Sequence, residues 1–314
     1  MIKFIRINGK IKIKEKLHMY SIIGANGYLG SYIKKVVLEV TNEDLICVCR
    51  NIPTEKENRV KWISCDISDR ENVDDLIEEL KRYEDLKIVY LAAYHNPDLV
   101  EKNPELAWNI NVTSLSYFLN KTDFAKAIYY ASTDSVYGES KDLYHFKESD
   151  PLNPVNIYGH NKCAAEALFI HKGRNVVRFP FLISPSLAGK PHFYDRIVES
   201  LRNNEPFEMY EDSYRSSLSF ENAARLLIAL IEKENKEPVI NVCGDKDLSK
   251  YDVGLLVAEK EGLDPKLIVP VRMGEITVEG FVSKRATSTV MDNTLLKEVL
   301  SLEYVDIFER PKYK

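Results

Sequence analysis

Tyr20-Ser21-Ile22-Ile23-Gly24-Ala25-Asn26-Gly27-Tyr28-Leu29-Gly30 is a short apolar run that ends in three glycines at three-residue intervals. An amphipathic run, Ser31 to Val40, comes immediately after it. The succession reads as strand, tight turn and helix. Gly24 lets the chain leave the strand with unusual backbone angles. Gly27 leaves room for a pyrophosphate to approach the main chain, and Gly30 lets the helix pack close to the strand. The helix N-terminus then offers free N–H groups and partial positive charge to phosphates. On this reading Gly24, Asn26, Gly27, Tyr28, Leu29 and Gly30 hold a dinucleotide.

Around this turn, strand and helix patterns alternate. Strands are expected over 19–24, 45–50, 60–65, 86–92, 127–132 and 175–179. Helices are expected over 28–40, 70–81, 104–120 and 154–170, the last two opened by a proline suited to a first turn. Such alternation implies right-handed crossovers and a Rossmann-type, doubly wound parallel sheet with helices on both faces, an α/β fold. After Phe179 the rhythm loosens, with Pro180, Pro185 and Pro191 breaking the chain. Helices over 193–201 and 221–233 and a further sheet strand over 239–243 are expected there. The chain thus divides into a dinucleotide-binding unit, 19–178 with a returning segment 214–244, and a smaller C-terminal α/β lobe, 179–213 and 245–314. The lobe folds over the strand ends to take the substrate.

Residues 1–18 stand apart. Lys3, Arg6, Lys10, Lys12, Lys14 and Lys16 alternate with Ile2, Phe4, Ile11 and Ile13, and Asn8-Gly9 between them reads as a small β-hairpin. The segment fits equally an appendage ahead of a start at Met19; a basic contact surface for acidic partners is a weaker third reading.

A chain of 314 residues, 45% of them apolar, suits one large α/β unit or two modest domains. Its formal charge of −5 argues against a nucleic-acid partner. The five cysteines form no Cys-x-x-Cys pair and no Cys/His cluster. They read as small hydrophobes in a reducing, cytoplasmic protein, with no metal site. No apolar run approaches the roughly 20 residues that cross a bilayer, so no membrane span is expected.

Ligands of doubly wound sheets sit beyond the carboxyl ends of the strands, so the residues just after each strand are the candidates. After the second strand a carboxylate would bind the ribose 2′-hydroxyl of NAD. This chain has Arg50-Asn51 instead, and a guanidinium grips a 2′-phosphate, which favours NADP over NAD. Asp66-Ile67 lies after the third strand and is placed either to meet the adenine edge or to cap the next helix. Leu91-Ala92-Ala93 after the fourth is small enough for a cofactor to pass closely. The fifth ends in Ser132-Thr133-Asp134-Ser135, whose hydroxyls can bond a substrate oxygen or simply build a turn.

The Tyr-x-x-x-Lys pattern occurs four times among 18 tyrosines. Position selects Tyr158 and Lys162, on the helix between the fifth and sixth strands, where a phenol could meet Thr133 and a nicotinamide. A phenol titrates near pH ~10. A neighbouring ammonium and a cationic cofactor ring favour its phenolate, and Lys162 can also hold the nicotinamide ribose. His95, Asn96 and His160 fall near the same cleft.

Together these residues resemble the extended short-chain dehydrogenase/reductases. The glycine triplet, Leu91-Ala92-Ala93, Asn111-Val112, the Ser-Thr…Val-Tyr-Gly run, Tyr158-x-x-x-Lys162 and Arg178 fall in that family's order, over about 19–296. Pro104 to Asn111, Ser132-Thr133-Asp134, and Arg285 with Asp292 beyond it look most like its dTDP-4-dehydrorhamnose reductase branch. The resemblance implies a catalytic trio of Thr133, Tyr158 and Lys162 and a nucleotide-linked keto sugar as substrate. Arg215 and Arg285 would hold its phosphates, and Asp134 and Ser135 are further candidates for binding substrate. Departures lie in the substrate lobe: Asp134-Ser135 where a dehydratase has Asp-Glu, Ser216 to Ser219 after Arg215, and Phe179-Pro180-Phe181 after the sixth strand. The sugar's identity therefore stays open. So do two other readings, an epimerase with retained NAD and a catalytically silent regulatory subunit. Leu115, Phe118, Ala165 and Phe169 are apolar beyond what one core face needs, and in similar enzymes helices 104–120 and 154–170 pair into a homodimer.

Overall fold

The three glycines join β3 (Met19–Ile23) to α1 (Tyr28–Val40) in the computed structural model, which describes residues 3–7, 10–14, 19–54, 56–273 and 282–314. From there the chain runs through β4 (Asp44–Cys49), β5 (Val60–Ser64), α2 (Arg70–Leu80) and β6 (Leu86–Tyr90). Next come the short helices α3 (Pro97–Lys102), α4 (Pro104–Trp108) and α5 (Leu115–Asn120), then β7 (Ala127–Thr133), α6 (Ile157–His171) and β8 (Asn175–Phe179). With β11 (Val239–Asn241), reached through α7 (Phe193–Arg202), β9 (Phe207–Tyr210), β10 (Tyr214–Arg215) and α8 (Phe220–Glu232), β3 to β8 make one parallel sheet. Its order is β11-β8-β7-β6-β3-β4-β5. The winding direction reverses between β3 and β6, which is where such sheets open a crevice.

Side chains alternate across β3, so its two faces feed two cores. Tyr20 and Ile22 pack with Ile33, Val36 and Val37 of α1 and with Leu226, Leu227 and Leu230 of α8. Met19 and Ile23 pack with Leu76, Phe118, Ala165 and Phe169 from α2, α5 and α6. A third core joins Ile183, Tyr194 and Ile197 to Val253 and Val257 of α9 (Lys250–Glu261) and Ile268 of β13 (Ile268–Val271), which pairs with β9. The two-residue strand β12 (Leu248–Ser249) pairs with β10. The chain closes with α10 (Thr294–Leu300), β14 (Leu302–Tyr304) and β15 (Lys312–Tyr313).

Three expectations need correction. The helix expected over 104–120 is interrupted by a π-helical turn at Asn109–Ser114. The extra residue per turn brings Asn111 to the loop after β6, where its amide accepts from Tyr94 N at 2.7 Å and donates to Tyr94 O at 3.1 Å. The helix expected from Pro154 starts at Ile157, capped by Asn156, which accepts from Gly159 N. Pro154 lies before the cap and packs under Gly159, where an added Cβ would stand 2.5 Å from the proline ring. Finally, Leu115, Phe118, Ala165 and Phe169 are buried in this chain's own core, so they offer nothing to a second copy.

In the N-terminal segment, β1 (Lys3–Ile7) and β2 (Lys10–Lys14) pair antiparallel with Phe4 opposite Ile13, as a hairpin requires. The expected turn Asn8-Gly9 lies outside the described residues. Cys47 and Cys49 are buried on β4 as expected, and all five cysteines are free. Among the described residues no helix is long and apolar enough to cross a membrane.

Candidate active site

The carboxyl ends of β3, β6, β7 and β8 open on one cavity of about 690 Å³. It is lined by the glycine turn, by Leu91 and Ala93 after β6, by Thr133, Asp134 and Ser135 after β7, and by Tyr158 and Lys162 of α6. Arg215 and Arg285 line it too.

The turn is built as its glycines demand. Gly24 has φ +95°, and a Cβ on it would lie 2.9 Å from Ala92 N, so Ala92 backs the turn rather than lining the cavity. A Cβ on Gly30 would lie 2.5 Å from Gly24 O. Gly24 N and Ala25 N donate to Val48 O at 2.8 and 3.1 Å, which ties the turn to β4. Gly27 caps α1 without any side-chain hydrogen bond, and a Cβ there would meet Gly24 O alone, at 3.3 Å. A bare N-terminus with open space before it fits the diphosphate of a dinucleotide.

The other cofactor candidates sit outside the cavity lining. Asn26 Nδ2 reaches Asn51 O at 3.5 Å, and Arg50 is exposed at the end of β4. Asp66 accepts from the hydroxyl and main-chain N–H of Ser68, which hold its carboxyl below the usual range. Capping α2 falls to Asp69, which accepts from Glu71 N and Asn72 N.

The trio converges. Tyr158 and Thr133 line the same cavity, with the Thr133 hydroxyl near enough to act on the phenol. Lys162 donates to Ala131 O at 2.8 Å and stands 5.9 Å from the centre of the Tyr158 ring. Burial raises the phenol of Tyr158 above its ordinary value, and the Asp134 charge adds to the rise; Thr133 and Arg285 oppose it. The sequence-based expectation of a phenol lowered by Lys162 is thus corrected: burial dominates, and Tyr158 is held protonated. Burial also pushes the Lys162 ammonium down to about 8, with Glu166 opposing.

Behind the trio lies a buried polar network. Glu166, one turn after Lys162, accepts from Ser132 and takes Arg178 through Nε and Nη2. Arg178 Nη1 donates to Tyr137 Oη at 2.7 Å, and Tyr137 donates to Asn241 Oδ1 at 2.8 Å.

Asp134 and Arg215 differ from their expected roles. Asp134 accepts from Thr133 and from Thr289 at 2.9 and 2.6 Å and pairs with Arg215 Nε at 3.3 Å. Arg215 donates to the carbonyls of Tyr214, Ala286 and Thr287. The pair therefore knits β7, β10 and residues 286–289 into the cavity wall. Arg285 pairs with Asp98 at 2.9 Å. Of the nearby residues, His95 lines the cavity, Asn96 caps α3, and His160 is exposed.

Several lining residues were given no role by the sequence: Phe181, noted only as a departure from the family's loop, and His192, Arg196, Phe220 and Lys250. His192 sits between Tyr28 and Phe220, at 4.4 and 5.0 Å between ring centres, and burial pushes its pKa down to about 4. Tyr28 and Tyr32 donate to Pro191 O and Pro185 O, both at 2.8 Å, lacing that loop to α1. Apart from Phe181, none of these lies just after a strand of the sheet, the one signal the sequence offered.

Fold and cleft together define a doubly wound α/β protein of the extended dehydrogenase/reductase type. Residues 19–307 match the RmlD substrate binding domain, and the chain belongs to that family. It is 30% identical over 259 residues to methionine adenosyltransferase 2 subunit beta of Danio rerio, covering 80% of this chain and 76% of that protein, and shares a family with it. Among solved structures it resembles a hypothetical dTDP-4-dehydrorhamnose reductase from Sulfolobus tokodaii, with TM-score 0.75, 23% identity, and 92% and 96% of the two chains covered. It also resembles the dTDP-4-dehydrorhamnose reductase of Bacillus anthracis in complex with NADP, with TM-score 0.74, 19% identity, and 92% and 95% covered. These two likenesses establish the fold.

Proposed function

We propose that the chain is an NAD(P)-dependent oxidoreductase that reduces the 4-keto group of a nucleotide-linked sugar. The observation that carries this reading is that Tyr158, Thr133, Lys162 and the glycine turn line one cavity. A bound nicotinamide cofactor, NADP by preference, supplies the hydride chemistry. The glycine turn would hold its diphosphate, and Arg50, Asn51, Asp66 and Ile67 its adenosine end. Leu91 and Ala93 would flank it, with Ala92 behind the turn, and Lys162 would take the nicotinamide ribose. Thr133 orients the substrate oxygen, and Tyr158, kept protonated by burial, gives that oxygen its proton. Ser135 and Arg285 contact substrate, while Asp134 and Arg215 build the wall.

Residues 19–178 with 214–244 then form the cofactor unit, and 179–213 with 245–314 the substrate lobe. A homodimer across helices 104–120 and 154–170 would have to use Leu106, Trp108 and Ile170, exposed by 48, 48 and 43%. A monomeric mass by light scattering would end that part.

The test is a panel of dTDP-, UDP- and GDP-linked 4-keto sugars with NADPH, read by loss of the NADPH absorbance. Turnover of one member supports the reading. A nicotinamide nucleotide that stays bound through purification, with interconversion of two sugars, points to an epimerase instead. The 30% identity to a protein named as a beta subunit favours a second reading, a cofactor-binding subunit without turnover. Cofactor binding with no turnover of any panel member supports that one.

A further inference from the structure

Lys250 lines the cavity with a charge that nothing described in the wall answers; Lys190 and Arg196 line it too, but both are exposed to solvent. It opens α9, its main-chain N–H donates to Ser213 O, and its side chain lies over the face of Phe181 in the loop after β8. Among the described residues no carboxylate stands within 4.0 Å of its ammonium, and no hydrogen bond from it is formed. The Asp134 carboxylate is within electrostatic reach, but it is already occupied by Arg215, Thr133 and Thr289. The Arg215 cation is within reach as well, and opposes the ammonium. Burial and Arg215 together hold Lys250 far below the ordinary lysine range, with Asp134 opposing. A cation so placed costs free energy unless a ligand brings the counter-charge. Two of the cavity's other cations contrast with it. Arg215 is closed on four internal oxygens, and Arg285 is paired with Asp98.

We propose that Lys250 selects an oxyanion-bearing ligand, its ammonium pairing with a carboxylate or phosphate group of the molecule that enters this cavity. The proposal rests on the nucleotide-sugar reading for the ligand's place, beside Thr133 and Tyr158, and names a further recognition residue for it. Phe181 supplies the second half of the subsite. Its ring face supports the cation and excludes water from one side, which strengthens a charge pair formed there. Two sources of oxyanion suit the position, a carboxylate carried by the sugar and the diphosphate that links sugar to nucleoside.

The test needs neither turnover nor nicotinamide, so its outcome is separable from that of the sugar panel. The intact protein is treated briefly with acetic anhydride at neutral pH, and acylation of each lysine is read by peptide mass spectrometry. The reaction is repeated with sodium glucuronate, with inorganic pyrophosphate and with glucose. A neutral buried amine that opens on the cleft should acylate at least tenfold faster than exposed Lys246. Protection by glucuronate alone identifies a sugar carboxylate, protection by pyrophosphate identifies the diphosphate, and glucose should protect in neither case. Failure of both anions to protect, or failure of Lys250 to acylate, overturns the proposal. Lys250→Met gives a second reading. It should weaken binding of the protecting anion at least tenfold by calorimetry while leaving the thermal midpoint unchanged or raised, since it removes an amine that makes no hydrogen bond among the described residues. Unchanged anion affinity in this variant would also overturn the proposal.

Discussion

The ammonium of Lys162 donates to the main-chain carbonyl of Ala131 at 2.8 Å, which pins helix α6 to the tip of strand β7. The same contact carries Tyr158, one turn earlier on the helix, to Thr133 at the strand end. A single lysine thereby sets the distance between the phenol and the hydroxyl that the chemistry needs.

Its protonation should be visible in rate and stability. Burial brings Lys162 to about 8, so the ammonium is present below that pH and lost above it. Turnover of an accepted sugar should decline as pH rises through about 8, and a flat profile there would contradict the assignment. The stability effect runs the other way. Between the folded value and the unfolded value of about 10.4 the unfolded chain holds the extra proton, so unfolding free energy rises with pH. Lys162→Met should remove that rise, which amounts to about 3 kcal/mol, in urea titrations compared across the window.

Two glycine variants should separate folding from cofactor binding. Gly30→Ala drives a Cβ to 2.5 Å from Gly24 O and 2.8 Å from Ala25 O, both main-chain atoms, and should unfold or misfold the domain. Gly27→Ala meets Gly24 O alone at 3.3 Å. It should leave the melting temperature within a few degrees of wild type but weaken NADPH at least tenfold by fluorescence titration, because the methyl occupies the diphosphate's approach. Equal loss of stability in both variants would refute this reading of the cradle.

Arg178 and Glu166 form an ion pair with side chains 3 and 1% exposed. Removing one partner strands the other's charge in the core. Glu166→Gln is therefore expected to cost about 3–5 kcal/mol of unfolding free energy, read from chemical denaturation. A loss under about 1 kcal/mol would mean that the network is not formed as described.

Arg215 gives a sharper contrast. As a free substrate arginine its loss would raise KM and leave stability alone. The structure instead closes it on Asp134 and three carbonyls. Arg215→Met should lower unfolding free energy by about 3–5 kcal/mol, since Asp134 loses its cation in the wall. Wild-type stability with a raised KM would restore the substrate role.

The sheet was legible because its signals are local. Tyr20 to Ile23 and Leu45 to Cys49 are apolar runs bounded by breakers, and the glycine spacing after Ile23 fixes a tight turn and a helix. Tyr158 and Lys162 were legible by position between two such strands. Pro154 misled because proline is as suitable just before a cap as inside a first turn. The π-turn at Asn109–Ser114 has no composition signal, since its cause is the loop at Tyr94 that Asn111 must reach. Arg215 looked like a substrate arginine because its acceptors, Ala286 O and Thr287 O, lie some seventy residues away in sequence. Lys250 was missed for the opposite reason. A lysine opening a helix after the Ser249 cap reads as solvated, and only the fold brings Phe181 beneath it.

The proposed chemistry turns on Tyr158 as the proton donor. Single-turnover oxidation of NADPH with an accepted keto sugar isolates that step, with wild type set against Tyr158→Phe and cofactor affinity followed in parallel. The variant should react 10²–10⁴-fold more slowly, on the order of what a positioned acid contributes, while binding NADPH as tightly as wild type. A Tyr158→Phe protein that reacts at the wild-type rate would rule the phenol out as donor.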